Sequence, residues 1–190
     1  MKTCEGCGLP APLSTERCAL CGTPFRRPVP TSYRLTATGP SGAYRWTVEG
    51  DEVANAVWRD ATWDIAEPTT GQVNVTVIPV TSHGDDIQRF AIVDHRGRVA
   101  TTYSSGDGIV RDSHGDPMLL VRGDGPTGLH IVDRDGVVLA LASPVSEGKG
   151  GLDVLVTPAG LAEPRRRLLL GVSLAVELAR SATRRANRVA

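Results

Sequence analysis

From Tyr33 to about Val156 the chain is written in short stretches of period two, broken by turn residues. Gln72 to Val80 is the plainest case. Val73, Val75 and Val77 fall on one side, with Asn74 and Thr76 on the other, which predicts a half-buried strand. Tyr33–Thr38 and Tyr44–Val48 predict two more strands around a Gly-Pro-Ser-Gly turn at residues 39–42. Asp51 to Ile65 can be read two ways. Val53, Ala56, Val57, Ala61 and Ile65 fit one face of a helix, whereas Trp58 and Trp63 favour strands.

A strand–turn–strand unit then repeats. Phe90-Ala-Ile-Val-Asp94 leads to Gly97, Ile109-Val-Arg-Asp112 to Gly115, and Leu129-His-Ile-Val-Asp133 to Gly136. Asp first and Gly fourth is the expected chemistry of a type I turn. Val154 to Gly160 reads as a degenerate fourth copy. A meander of hairpins has two open edges, and closure into a barrel removes them.

The pattern changes at Pro164. From there to about Arg185, Leu168, Leu169, Leu170, Val172, Leu174, Ala175, Val176, Leu178 and Ala179 leave almost no polar face. A helix apolar all round is buried in a core or a membrane. The run from Leu168 to Val176 is only nine residues, and a bilayer span needs roughly 20. The helix is therefore expected to be wrapped by the strands before it.

The first thirty residues are a separate matter. Cys4-Glu-Gly-Cys7-Gly8 and Cys18-Ala-Leu-Cys21-Gly22 are two C-x-x-C-G knuckles with ten residues between them. Each knuckle aims two sulfurs at one point, and four sulfurs suit a closed tetrahedral zinc site. One structural Zn²⁺ per chain is the expectation, held by Cys4, Cys7, Cys18 and Cys21, in place of disulfides or a redox pair. The segment resembles the short zinc ribbons of many bacterial and archaeal proteins. The organisation expected is a ribbon over 1–24, a proline-rich linker over 25–30, and a barrel over 31–190 with its helix at about 164–185.

Charge sharpens this division. The 190 residues carry no formal net charge. Yet residues 1–30 sum to +2, residues 31–160 to −7 and residues 161–190 to +5. The acidic middle argues against broad contact with nucleic acid. Arg165, Arg166 and Arg167 sit in the first turn of the expected helix, where they oppose its dipole. They either pair with hairpin acids such as Asp133 or Asp135, or form an anion-binding edge. Asp94, Asp112, Asp133 and Asp135 read as turn formers in preference to a calcium site, since no EF-hand loop is present. His83, His95, His114 and His130 show no paired ligand spacing. Trp46, Trp58 and Trp63 read as core or barrel rim rather than a ligand platform.

Nothing in the sequence resembles catalysis. There is no G-x-S-x-G, H-E-x-x-H or Walker A, Gly106-Asp-Gly108 and Gly123-Asp-Gly125 read as loop tips between hairpins in preference to a dinucleotide turn after a strand, and a barrel filled by an apolar helix leaves little room for a substrate.

The succession of hairpins at Phe90–Val99 and Leu129–Leu139, ending in the apolar segment Arg167–Leu178, resembles the tubby-like superfamily, in particular its LURP-one-related and phospholipid-scramblase-like branch. The resemblance covers residues 31–185 and leaves the ribbon outside it. It implies a mainly β fold, a closed antiparallel barrel of roughly twelve strands around a hydrophobic C-terminal helix. It also implies lipid-headgroup binding for some members, and scrambling or protein association for others. No calcium or lipid motif of the family can be placed on these residues. The expected function is a non-enzymatic, cytoplasmic or membrane-peripheral binding or adaptor module. Its ribbon would dock a protein partner and its barrel would bind protein or anionic lipid. A nucleic-acid-associated zinc-ribbon factor is the alternative.

Overall fold

Twelve antiparallel strands close on themselves, and the alternation read from the sequence decides which side of each faces in. The structure is a computed structural model that describes residues 2–3, 10–11, 17, 19–22, 31–38, 43–80, 87–123, 128–145, 150–161 and 165–189, without the side chains of 2, 3, 11 and 185–189. Near the N-terminus, β1 (Lys2–Thr3) pairs with β2 (Pro10–Ala11). The barrel strands are β3 (Thr31–Thr38), β4 (Ala43–Val48), β5 (Asp51–Arg59), β6 (Thr62–Ala66), β7 (Val73–Pro79), β8 (Arg89–Asp94), β9 (Val99–Ser104), β10 (Ile109–Asp112), β11 (Pro117–Gly123), β12 (Leu129–Asp133), β13 (Val138–Pro144) and β14 (Gly151–Val156). Each pairs with its neighbour in sequence, and β14 pairs with β3 to close the ring. No barrel strand is left with an open edge, which is the reason for closure.

The helix α1 (Arg165–Val189) follows β14 and runs through the interior. At 25 residues it is about 37 Å long, and it extends four residues past the end expected from the sequence. Leu169, Val172, Leu174, Ala175, Val176 and Ala179 are all buried. They meet inward side chains from around the barrel, among them Leu35, Trp46, Ile65, Val77, Ile92, Ile131, Leu139 and Leu152. With few aromatics, the core is built mainly from aliphatic side chains, as the composition requires. Trp46 Nε1 donates to Ser173 Oγ at 3.4 Å, and that hydroxyl donates to the Leu170 carbonyl at 2.9 Å. Gly171 lets α1 lie directly on β7 and β8: a Cβ there would come within 2.8 Å of Ile92 Cγ2 and 3.1 Å of Val75 Cγ1.

The barrel has two unlike ends. At the proximal end, where α1 begins, lie the three Asp-x-x-Gly turns. Asp94 Oδ1 accepts from the N–H groups of Arg96 and Arg98 at 2.9 and 3.1 Å. Asp112 Oδ1 takes those of His114 and Asp116, and Asp133 Oδ1 those of Asp135 and Val137. Gly97, Gly115 and Gly136 have φ of 74°, 90° and 81°, a region that glycine enters without steric cost. The β4–β5 and β6–β7 connections lie at this end as well, and the distal end carries the remaining hairpin tips and the outgoing half of α1.

One open reading is resolved and two expectations need correction. Residues 51–65 are two strands and not a helix; β5 and β6 are joined at Asp60 and Ala61, with φ of 46° and 66°. Such two-residue hairpin turns normally contain glycine, so the turn carries no sequence signal. Val154–Gly160 is not a fourth hairpin. After Val156, Thr157 accepts from the N–H of Gly160 at 2.9 Å in a turn that leads into α1. Last, the helix is not apolar on every side: Glu177 is fully buried within it. The tryptophans are core and rim. Trp46 is fully buried and Trp63 nearly so, while Trp58 is 44% exposed at the distal rim, its ring 5.2 Å from that of Trp63.

Candidate anion-binding site

A cavity of about 510 Å³ opens at the proximal end, between β7, β8, β9, β11 and the first turn of α1. Val75, Ile92, Val93, Ala100, Met118 and Leu168 give it apolar walls. Arg98, Arg165, Arg167 and Asp94 bring charge to it, and His95 lies beside them. Asp94 is the one carboxylate among its described lining residues, against three guanidinium groups.

Two elements position that charge. The β8–β9 turn supplies Asp94, His95 and Arg98. Arg98 donates to Asp94 Oδ2 through Nε at 3.0 Å and Nη2 at 2.7 Å. This pairing, with the backbone N–H groups of Arg98 and Arg96, holds the Asp94 carboxyl at about 2, against a smaller opposing push from burial. The carboxylate is therefore ionised and directs the Arg98 fork. The helix supplies the other two. Arg165 and Arg167 line the cavity, whereas Arg166 does not. Arg165 Nη2 lies 4.0 Å from Asp133 Oδ2, and its Nη1 donates to the Ala159 carbonyl at 3.4 Å. Arg165 thus faces a turn aspartate, as one of the two sequence readings expects, and also borders the cavity.

Thr101 also lines this cavity. It is 2% exposed, and its hydroxyl has no hydrogen-bond partner in the structure. Sequence reading did not single out Thr101, Arg98 or Met118, which stand on three different strand or turn segments. Only the register Ile92↔Thr101 and the closure of the barrel bring them together.

The other cavities have different chemistry. One of about 700 Å³ beside β3 and β4 is bordered by Arg34, Glu49 and Asp153, and Arg34 Nε donates to Asp153 at 2.7 Å. One of about 490 Å³ at the distal end lies between Tyr103, Val121 and Arg180. There, burial, helped by the charge of Asp107, pushes the Tyr103 hydroxyl up to about 12.

Of the expected zinc ligands, Cys4, Cys7 and Cys18 lie outside the described residues. Cys21 is exposed, and Gly22 behind it has φ of 71°, a region that glycine enters without steric cost. Among the described residues no three His, Cys, Asp or Glu side chains gather as a metal site. Asp94, Asp112 and Asp133 each cap their own turn, which disposes of a shared calcium site for them. His95 and His114 sit in turns and His130 on β12, while His83 lies outside the described residues. No described helix is long and apolar enough to cross a membrane.

No protein-family model matches the chain, and no curated protein sequence matches it. A crystal structure of a protein from Arabidopsis thaliana is similar in fold, with a TM-score of 0.56 at 13% identity, covering 82% of this chain and 93% of that one. The fold shared with that plant protein is a closed antiparallel barrel of twelve strands with a C-terminal helix.

Proposed function

We propose that this protein is a non-enzymatic binding module of the LURP-one-related or scramblase-like kind, whose barrel recognises anionic lipid at its proximal end. The observation that carries the reading is the filled interior. Because α1 occupies the barrel, recognition is left to the ends and the outer surface, and the proximal end combines three guanidinium groups with an apolar cavity. Guanidinium forks suit phosphate and carboxylate oxygens, and apolar walls suit the parts of a lipid next to its head. The likeness in fold to the plant protein is compatible with this family but carries no ligand with it.

The N-terminal segment completes the proposal. Cys4, Cys7, Cys18 and Cys21 are a donor set chemically suited to Zn²⁺, and such a metal would supply folding energy to a segment too small to build a core. With four thiolates the metal would have no open position, so its role is structural and the ribbon serves to dock a protein partner.

Co-sedimentation with phosphatidylserine-containing and with pure phosphatidylcholine vesicles tests the barrel half. Binding to the first alone, weakened by high salt and by Arg165→Gln/Arg167→Gln, is the expected result. Equal binding to both vesicles, or none to either, rejects it. A pull-down with the full chain and with a Cys18→Ser variant tests the ribbon half, since partner capture should be lost with the metal.

A further inference from the structure

The distal cavity of about 490 Å³ is bordered by two polar groups that the fold itself does not use. The Tyr103 ring stacks on Phe90, with centroids 6.4 Å apart, but its hydroxyl makes no hydrogen bond among the described residues. Tyr103 is 5% exposed and lines the cavity. A phenylalanine would pack as well, and an unpartnered hydroxyl costs stability. Arg180, on α1, is the one cation among the described lining residues, and it makes no hydrogen bond or ion pair among the described residues. Burial, helped by the charge of Asp107 and opposed by that of Arg180, pushes the Tyr103 hydroxyl up to about 12, so it keeps its proton at neutral pH and can donate.

The other polar groups around it are engaged. Asp107 Oδ1 accepts from the Ile109 N–H at 3.0 Å, and its Oδ2 from Arg111 Nη2 at 2.8 Å. Thr183 Oγ1 donates to the Ala179 carbonyl at 3.2 Å. The turn that borders the cavity is fixed on both sides. Gln88 N–H donates to Ser105 Oγ at 2.9 Å, and Val121 N–H donates to the Gly108 carbonyl at 2.7 Å. We infer that this distal cavity is a second binding site, for one small organic monocarboxylate, with its head held by Arg180 and Tyr103 and a compact apolar body against Val121, Leu129, Val176 and Ala179.

The groups present set the class. Arg180 and Tyr103 both donate, so the head must accept. Asp107 and Arg111 already neutralise each other, which leaves one positive charge for one negative charge. A phosphate dianion would bring a second negative charge near Asp107, where like charges repel. The apolar wall makes the body of the ligand contribute, so a bare acetate gains little. The volume lies within the range of small-molecule sites, roughly 300–1,000 Å³. This site stands at the opposite end of the barrel from Arg165 and Arg167 and does not depend on the lipid reading.

Ligand-observed NMR titration of the full chain with phenylacetate, phenylacetamide, benzylammonium, acetate and inorganic phosphate tests this. Phenylacetate should bind, about tenfold or more tighter than the neutral amide, and the other three should not. Tyr103→Phe should weaken phenylacetate about tenfold, for one hydrogen bond to a charged group, at an equal or higher melting temperature, because the hydroxyl removed has no partner. Arg180→Gln should weaken it at least as much and erase the preference over the amide. Arg165→Gln/Arg167→Gln should bind it as the unaltered protein does. Absence of phenylacetate binding overturns the site, as does affinity that survives both Tyr103→Phe and Arg180→Gln. Loss of binding in Arg165→Gln/Arg167→Gln alone also overturns it, by placing the ligand in the proximal cavity. Acetate, phosphate or benzylammonium binding as tightly as phenylacetate overturns the assigned class.

Discussion

The backbone N–H of Gly151, at the distal start of β14, donates to the carboxylate of Glu177 on α1 at 3.1 Å. Glu177 is fully buried, and the same oxygen, Oε1, accepts from Ser181 Oγ at 2.9 Å and from the Arg184 guanidinium. Its other oxygen, Oε2, has no partner in the structure. One carboxylate thus fastens the outgoing half of the helix to the wall of the barrel. Glu177→Leu removes an acceptor and strands the Gly151 N–H, so it should destabilise by about 1–3 kcal/mol. Glu177→Gln keeps an acceptor for Gly151 and should cost less. Arg184→Met leaves the buried charge without its cation, and Glu177→Leu/Arg184→Met should be more stable than the sum of the single changes predicts. Urea unfolding midpoints read the cycle, and strict additivity would show that the pair is not coupled.

Gly171 is set by the space beside it. Alanine favours a helix interior over glycine by about 1 kcal/mol, and on an exposed helix Gly171→Ala would stabilise. Here the added methyl meets Ile92 Cγ2 at 2.8 Å and Val75 Cγ1 at 3.1 Å. Overpacking of that kind costs about 1–3 kcal/mol, so the change should lower the melting temperature. A rise would mean that α1 does not press on β7 and β8 at this point.

Acid should loosen the proximal turns. The Asp94 carboxyl is lowered from 3.8 to about 2, chiefly by the hydrogen bond from Arg98. Asp112 is lowered by the N–H groups of His114 and Asp116, and Asp107, in a distal turn, by Arg111. A group depressed on folding contributes stability that is present above its unfolded value and is lost as pH falls through its folded one. For Asp94 that window runs from about 4 down to about 2. Melting temperature measured across it should fall, and Asp94→Asn should flatten the decline while lowering stability at neutral pH. An unchanged slope in that variant would mean that the turn carboxylate is not linked to folding.

Protein purified without added metal should contain about one zinc per chain by elemental analysis. Cys18→Ser should lose it. The barrel should keep its melting transition in that variant, because its core contains no cysteine. A metal-free native protein would remove the ribbon from the proposal.

The sequence by itself determined the barrel strands with local signatures. Val75 and Val77 alternate with Asn74 and Thr76, and Asp94, Asp112 and Asp133 stand three residues before a glycine that must turn. These are decided by steric rules and hydrogen bonds within a few residues, so a short window contains the whole cause. It also determined that Leu169 to Ala179 must be enclosed, since that many apolar side chains cannot face water. The β5–β6 turn was hidden because Asp60 and Ala61 hold positive φ without glycine, and the pairing of the flanking strands, Trp58 against Trp63 among them, imposes it. Glu177 was hidden because a lone acid in a helix looks like a solvated one until Gly151 and Arg184 surround it. The proximal cavity was hidden for the same reason. Arg167 was legible as charge in the first turn of a helix, but Arg98, Thr101 and Met118 become its neighbours only when twelve strands close around α1, and closure depends on contacts between residues far apart in the chain.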